Sequence, residues 1–424
     1  MHKLIYLLFI IHLIFLAYLN NVYLAGIPFR SFLILLTGAL VVLHQKEILA
    51  DISLINRVYV VLMGLGLLIS LVNQVTLGSI INGELKLLQS YLVILVSYYI
   101  VANLGFRYLA IAFLLVVLPS AVIGILQGLE VNKAWLLHDM LMNAQNKEIS
   151  DEIQQQIQEA LSRPPGLALY AIPQTYMLLS AVIFSSYFVL SEQTESRYQL
   201  VLLLLNILLV GGIFASETRS AMGAAVFTLF IVYLYRFRSI TTMLAALVVV
   251  AGLMIYFIKT GDSSLESRLV SLDDQSAQGR KTLYKYGLEL FLQRPWGYGF
   301  NFDTVEYAHD FFINAQNIFS YGPHEKAHYI VPVHNSLLNL MHAFGTFGLL
   351  IFCYYIYRLL DGYWYRYVFI LGALMNSAFH NAGILSGDLF IDMVIGAFLY
   401  ESLLKKRLKS SPQYVTARSQ WVPG

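Results

Sequence analysis

Four cationic or titratable residues stand where apolar segments of the sequence begin or end. Arg163 precedes one apolar run, and Arg219 lies in a short polar turn before another. Arg280 opens a predicted helix, and His334 comes immediately before a further apolar run. Taken singly, each has an ordinary explanation, because arginine at the end of a membrane span often extends to the water interface. Taken together, they form a set with a definable chemistry.

Arginine at a water–lipid boundary suits one class of ligand. A guanidinium group binds phosphate through bidentate, charge-assisted hydrogen bonds, and a lipid-linked pyrophosphate places its phosphates at this depth. His334 could act as a general base or orient an acceptor hydroxyl, since histidine titrates near neutral pH. Asp273-Asp274 is the only adjacent acidic pair between residues 259 and 333, and adjacent loop acids are usually solvated. We therefore expect a site without metal or cofactor, in which arginine supplies the charge stabilisation.

The composition limits the kind of protein that carries these residues. Of 424 residues, 58% are hydrophobic and only 12% are charged, whereas soluble proteins carry about 25% charged residues. This excludes disorder, a nucleic-acid-binding domain and an ordinary cytosolic enzyme. The one cysteine, Cys353, excludes an internal disulfide, and its apolar surroundings predict a buried thiol. The protein is predicted to be an integral membrane protein.

The apolar segments predict an all-α bundle of about twelve transmembrane helices. The first segment follows only Lys3 and has no small-residue cleavage site, so we interpret it as a retained span. No segment alternates with a period of two, which excludes a β-barrel. The predicted spans lie near 4–20, 22–43, 58–75, 83–103, 107–128, 166–190, 199–214, 220–236, 240–258, 335–357, 367–384 and 386–404.

The distribution of Lys and Arg orients this bundle with both termini in the cytoplasm. The short outer connections near 20–21, 76–79 and 383–387 then contain none of these residues, and residues 405–424 form a basic cytoplasmic tail. Arg163, Arg219, Arg280 and His334 all lie on the outer, periplasmic side, where arginine is normally depleted. The cations of the short cytoplasmic connections are Lys46, Arg57, Arg107, Arg197, Arg236, Arg238, Arg358 and Arg366.

Two longer segments fall on the same outer side of a chain that we treat as one domain, 1–424. Residues 130–165 contain an amphipathic stretch that is typical of a helix lying on the membrane surface. Residues 259–333 form the one large periplasmic loop, with a helix predicted from Gly279 to Gln293 and stopped by Pro295. A long ordered loop on a bundle with short connections usually carries function.

The spacing of these motifs resembles the bacterial O-antigen ligase and polymerase family from about residue 160 to 350. His334-Asn335 is followed after nine residues by Gly345-Thr346-Phe347-Gly348, whose small residues we also expect to pack helices closely. The other matching segments are Arg163-Pro164-Pro165-Gly166, Thr218-Arg219-Ser220-Ala221, and Gly279-Arg280 through Arg294-Pro295-Trp296-Gly297-Tyr298-Gly299.

The resemblance implies a GT-C-like, metal-independent, inverting glycosyltransferase of the bacterial inner membrane, with a periplasmic active site. Such enzymes take glycan from undecaprenyl pyrophosphate and use no cofactor and no nucleic acid. Carried over, Arg219 and Arg280 would stabilise the pyrophosphate leaving group, with Arg163 nearby. His334 would activate or position the acceptor hydroxyl. Arg163, Asn335 and Arg294 are predicted to bind substrate.

The resemblance leaves the acceptor open. Thr218-Arg219 and Gly279-Arg280 with Tyr284 favour a ligase, which transfers to lipid A–core oligosaccharide during lipopolysaccharide biosynthesis. Trp296 to Gly299 is common among polysaccharide polymerases, which join lipid-linked repeat units. A protein O-oligosaccharyltransferase is less favoured, because the extended C-terminal region of many such enzymes is missing. A transporter or flippase, for which Arg30 and Lys86 would be the buried charges, is disfavoured because no internal repeat is evident.

Overall fold

The computed structural model describes residues 1–24, 27–145, 163–190, 196–237, 275–314, 317–322 and 332–410. In this part of the chain, helices dominate, and the strands Tyr23–Leu24 (β1) and Ile27–Pro28 (β2) pair antiparallel. The helices are α1 (His2–Ala17), α2 (Phe29–His44), α3 (Ile48–Asp51), α4 (Ser53–Val72), α5 (Leu77–Asn103), α6 (Phe106–Gly128), α7 (Asn132–Ala144), α8 (Ala171–Leu190), α9 (Ser196–Ala215), α10 (Arg219–Phe237), α11 (Gln275–Gln293), α12 (Thr304–Asn314), α13 (Ser336–Leu360), α14 (Trp364–Ser377) and α15 (Leu389–Ser410).

Each predicted span coincides with a helix, except the span at 240–258, which lies outside the described residues. Among those residues, 5 helices, namely α4, α5, α6, α8 and α13, are long and apolar enough to cross a membrane, and shorter apolar helices include α1 and α2. The predicted all-α membrane protein is therefore confirmed. The number of spans and their sidedness stay predictions.

Helices α5 and α8 form the centre of the bundle. Both are buried on nearly all faces, which requires apolar residues all round. Helix α5 packs against α2, α4 and α15, and α8 packs against α9 and α10. The outer helices expose apolar side chains such as Val60, Leu68 and Leu200, as lipid-facing surfaces do. Cys353 is also exposed, so the prediction of a buried thiol was wrong: its side chain lies on the outer face of α13.

The long loop builds a small aromatic core of its own above the bundle. Leu283, Tyr286 and Leu290 of α11 pack against Phe311 of α12. The buried carboxylate of Glu289 accepts hydrogen bonds from the amides of the chain at 318–319, at 2.5 and 3.2 Å. The helix predicted at 279–293 is confirmed, since α11 ends at Gln293.

Gly345 ties this loop to the bundle by interrupting α13. Its backbone adopts φ 63° and ψ −153°, which glycine tolerates far better than other residues. Around this break the amide of Thr346 donates to the carbonyl of Pro295 at 2.7 Å, and that of Tyr298 donates to the carbonyl of His342 at 2.6 Å. A Cβ at Gly345 would lie 2.3 Å from the carbonyl carbon of Trp296. The glycines that were predicted for close packing therefore join two motifs, backbone to backbone.

Several predicted span boundaries differ from the structure by five to seven residues, and two of these differences lie near the predicted functional residues. Helix α8 begins at Ala171, five residues after the predicted start at 166, and α14 ends at Ser377, seven residues before the predicted end at 384. In both places the backbone is held by side-chain hydrogen bonds in a non-helical path. The amphipathic stretch at 153–161 and Asp273-Asp274 lie outside the described residues. The first part of the segment 130–165 forms helix α7.

A candidate active site at one end of the bundle

Five connections meet at one end of the bundle, which we term the site end. They are the segment 163–170 before α8, the turn 216–218 before α10, the start of α11, the residues 332–335 before α13, and the turn 378–388 between α14 and α15. Because successive spans run in alternate directions, these connections share one end although they are distant in sequence. Each carries one of the predicted functional residues or contacts one.

The segment after Arg163 is fixed by two buried side chains of α6. Gln127 accepts from the amide of Gly166 at 2.8 Å and donates to its carbonyl at 3.0 Å, while Ser120 Oγ accepts from the amide of Leu167 at 2.8 Å. Gly166 has φ +62°, and a Cβ there would lie 2.6 Å from Ser120. These contacts explain why the chain is not helical here and hold Arg163 at the site end.

The turn with Arg219 is short and rigid. Helix α9 ends at Ala215, Glu217 has a positive φ of 54°, and Arg219 is the first residue of α10. The next residue, Ser220, contacts the turn between α14 and α15, with its hydroxyl 3.0 Å from Nε2 of His380. The contact between Ser220 and His380 therefore fixes the backbone of the preceding residue, Arg219.

The start of α11 leans on the same 378–388 turn. The guanidinium carbon of Arg280 lies 5.7 Å from the centre of the Phe379 ring. One turn further along α11, the hydroxyl of Tyr284 donates to the carbonyl of Ala378 at 2.6 Å. The contacts with Ala378 and Phe379 thus position the start of α11, which carries Arg280.

His334 also contacts this turn. Its Nδ1 lies 3.1 Å from Oδ1 of Asn381, which additionally accepts from Asn339 Nδ2 at 3.4 Å. An amide oxygen only accepts, so Nδ1 of His334 carries the proton and Nε2 presents a lone pair. Asn335 caps α13 by accepting from the amide of Leu338 at 2.9 Å, and it donates to the carbonyl of Ala378 at 3.1 Å.

The electrostatics show that the charges converge. Burial lowers the pKa of His380 to about 3, and the electrostatic influence of Arg280, His334 and Arg163 acts in the same direction. Burial and the charge of Arg280 also lower the pKa of His334, while its bond to Asn381 opposes this. Both imidazoles are therefore neutral at neutral pH. Two arginines from distant parts of the sequence act on one histidine.

The structure thus brings Arg163, Arg280 and His334 together and places the backbone of Arg219 beside them. Asn335 is at the same end, with its amide engaged in capping and in the 378–388 turn. Arg294 is elsewhere: it donates to Asn73 Oδ1 at 2.9 Å, and 14 positions of helix separate it from Arg280, about 20 Å. In this position Arg294 fastens the loop to the end of α4.

His380 and Asn381 were missed in the sequence. They were assigned to the end of a span at 367–384, where apolar neighbours hide them. One signal could have identified them, since His380-Asn381 repeats the dipeptide His334-Asn335. Polar and ionisable residues inside a predicted span are also rare and usually functional.

A metal ion could in principle support the same chemistry. In the described ranges, no group of three or more His, Cys, Asp or Glu side chains is arranged to hold one. Asp273-Asp274 lies outside those ranges, so the metal-free site stays a prediction.

Comparison with known proteins gives one positive result. Residues 204–353 match the family described as O-antigen ligase, and no curated protein matches the chain. The matched segment contains Arg219, Arg280, His334 and the break at Gly345, while Arg163 and His380 lie outside it. The resemblance noted in the sequence motifs is confirmed by this match, and segment 204–353 is similar to the O-antigen ligase family.

Proposed function

We propose that the protein is an O-antigen ligase, which transfers glycan from undecaprenyl pyrophosphate to lipid A–core oligosaccharide at the periplasmic face of the inner membrane. One observation carries this proposal: the charges of Arg163 and Arg280 converge on His380, and that of Arg280 also acts on His334, at one end of an apolar bundle. A concentrated positive potential beside a neutral base fits an anionic donor and a hydroxyl acceptor.

The arginines act on the leaving group. In the transfer, the bond between the anomeric carbon and the pyrophosphate oxygen breaks, and negative charge grows on that oxygen. Arg163, Arg219 and Arg280 stabilise this charge, with the lipid tail held in the bilayer. Pyrophosphate is already a good leaving group, so positioning and charge stabilisation supply much of the catalysis. Attack from the face opposite the leaving oxygen inverts the anomeric centre.

His334 takes the proton from the acceptor hydroxyl as the new bond to the anomeric carbon forms. The bond from Nδ1 to Asn381 keeps Nε2 free of its proton and fixes the plane of the ring. Arg280 lowers the pKa of this imidazole in the free enzyme. A bound pyrophosphate offsets the charge of Arg280, so the pKa of His334 rises and the residue becomes a stronger base once the donor is in place.

The family leaves a polysaccharide polymerase as the alternative. Deleting the gene and examining lipopolysaccharide on a gel separates the two. Loss of all glycan-capped lipid A–core, with lipid-linked polymer accumulating, is expected for a ligase. A single repeat unit left on the core would instead indicate a polymerase.

Arg219→Lys tests the chemistry of the site directly. Lysine keeps the charge but loses the planar fork, so we expect transfer by the purified protein to fall about a hundredfold, the effect of losing a transition-state donor. Arg236→Lys, at the far end of the same helix α10, is the matched control and should transfer normally. Normal transfer by Arg219→Lys would reduce this residue to an interface anchor.

A further inference from the structure

Two further cations, Arg30 and Lys86, lie at the site end and take no part in the transfer described above. Arg30 is the second residue of α2, and Lys86 is on α5, which packs directly against α2. The charge of Arg30 acts on Lys86 by repulsion. Arg30 is half-buried and Lys86 is exposed, and two cations within electrostatic reach of each other repel unless an anion lies between them.

Arg30 is the more informative of the two. Its Nε is buried and has no hydrogen-bond partner, and its guanidinium forms no ion pair in the described part of the chain. Among the described residues, the groups that act electrostatically on it are the phenols of Tyr23 and Tyr170. An arginine that merely extends to the interface would place its donors in water. A buried Nε donor without an acceptor instead leaves a position that a bound anion can fill.

Lys86 is held in place by the long loop. Its Nζ donates to Oδ1 of Asn301 at 3.1 Å, and Nδ2 of Asn301 donates to the carbonyl of Ser79 at 2.9 Å. The adjacent Phe300 fills the space above Gly83, where a Cβ would lie 2.3 Å from its ring. The amide of Asn301 orients the ammonium without neutralising it. Glu84, two residues before Lys86, projects from a different face of the helix.

Two tyrosines connect this pair to the candidate active site. Burial raises the pKa of Tyr170, and the charge of Arg30 opposes that rise, which places the two groups within electrostatic reach. Tyr170 acts in turn on Tyr176, whose ring centre lies 5.8 Å from that of His380. Arg30 and Lys86 thus lie beside the candidate active site.

We propose that Arg30 and Lys86 bind the phosphate of the lipid acceptor. The arginines of the candidate active site, Arg163, Arg219 and Arg280, hold the donor pyrophosphate. This inference rests on the proposed function, because it assigns the second substrate to the same reaction. The shared chemistry is a lipid-borne phosphate, supplied either by a phosphorylated lipid A–core or by the pyrophosphate of a lipid-linked repeat unit. It explains why two anion-binding positions lie side by side at one membrane boundary.

The test varies the acceptor at saturating undecaprenyl-pyrophosphate-linked donor. Arg30→Gln and Lys86→Gln should raise the KM for a phosphorylated acceptor about tenfold, the effect of one lost charged contact, and leave the donor KM unchanged. Arg107→Gln, an exposed arginine on α6, is the matched control. With enzymatically dephosphorylated lipid A–core as the acceptor, Arg30→Gln should no longer raise the acceptor KM. An effect only with the lipid-linked repeat unit would assign the phosphate to that acceptor.

Unchanged acceptor KM in both variants with every acceptor would overturn the inference, as would a rise in the donor KM instead. Binding of undecaprenyl phosphate in nanodiscs separates this outcome from failure of the proposed function. If the wild-type protein transfers no glycan but Arg30→Gln still weakens lipid-phosphate binding, the anion site stands and the transferase is wrong. If Arg30→Gln binds undecaprenyl phosphate as wild type and leaves transfer intact, the site is wrong and the transferase stands.

Discussion

At the end of the bundle opposite the candidate site, Arg366 is buried with an exposed side-chain fraction of 1% and pairs with Glu401 at 2.7 Å. Its two terminal nitrogens also donate to the carbonyls of Leu359 and Phe398 and to Ser402, at 2.7 to 2.9 Å. At the site end, the charges of Arg163 and Arg280 act on the buried imidazole of His380.

The difference separates structure from function. A guanidinium that is neutralised by a carboxylate and bonded to carbonyls contributes no net charge to its surroundings, so Arg366 serves to join α13, α14 and α15. Arg280 acts electrostatically on both His334 and His380, and Arg163 acts on His380, so a change of charge at this end alters groups that can take part in chemistry. All three arginines lie near helix ends, and the sequence alone does not distinguish them.

The largest effect should follow from breaking the paired end. Arg366→Met leaves the buried Glu401 carboxylate without its partner, which typically costs about 3–5 kcal/mol of unfolding free energy. Thermal and chemical unfolding of the purified protein in detergent measures this. Adding Glu401→Leu should recover much of the loss, since neither charge is then buried alone. A single variant as stable as wild type would contradict the structural role of the pair.

A smaller effect is expected from Asn381→Ala at the site end. Losing one hydrogen bond to His334 corresponds to about 1.4 kcal/mol, or tenfold in transfer rate, with donor affinity unchanged. Asn381→Asp keeps an acceptor oxygen and should retain more activity. Asn339→Ala removes only the longer contact to Asn381 and is the control. Equal rates for Asn381→Ala and Asn339→Ala would mean that Asn381 does not orient the histidine.

The smallest effect concerns pH. Because burial and the charge of Arg280 lower the pKa of His334 below the usual 6.5, the base stays neutral as pH falls through 6.5. The acid limb of kcat/KM should therefore lie below pH 6.5. Arg280→Gln removes one of the two causes, so the limb of its residual activity should move upward, towards 6.5. A limb that stays in place would show that Arg280 does not act on His334.

The long spans and the loop helix could be predicted from sequence because they depend on local properties, namely apolar length and a stop at Pro295. That Arg163, Arg280 and His334 lie at the same end of the bundle could also be predicted, since successive spans run in alternate directions. The turn at Ala378 to Asn381 did not follow. Its backbone is held by Tyr284 and Asn335, whose positions depend on the tertiary fold. Distance along α11 likewise separates Arg294 from the group, which a list of motifs does not reveal.

The most direct test of the transferase measures two properties in two variants: the rate of glycan transfer, and the affinity for the undecaprenyl-pyrophosphate-linked donor, in His334→Ala and Arg280→Gln. Both variants should lose transfer by about a hundredfold or more, since each removes a group that acts in the transition state. Only Arg280→Gln should lose donor affinity. Loss of donor affinity in His334→Ala would place the histidine in the phosphate site, and normal transfer by Arg280→Gln would contradict the proposed active site.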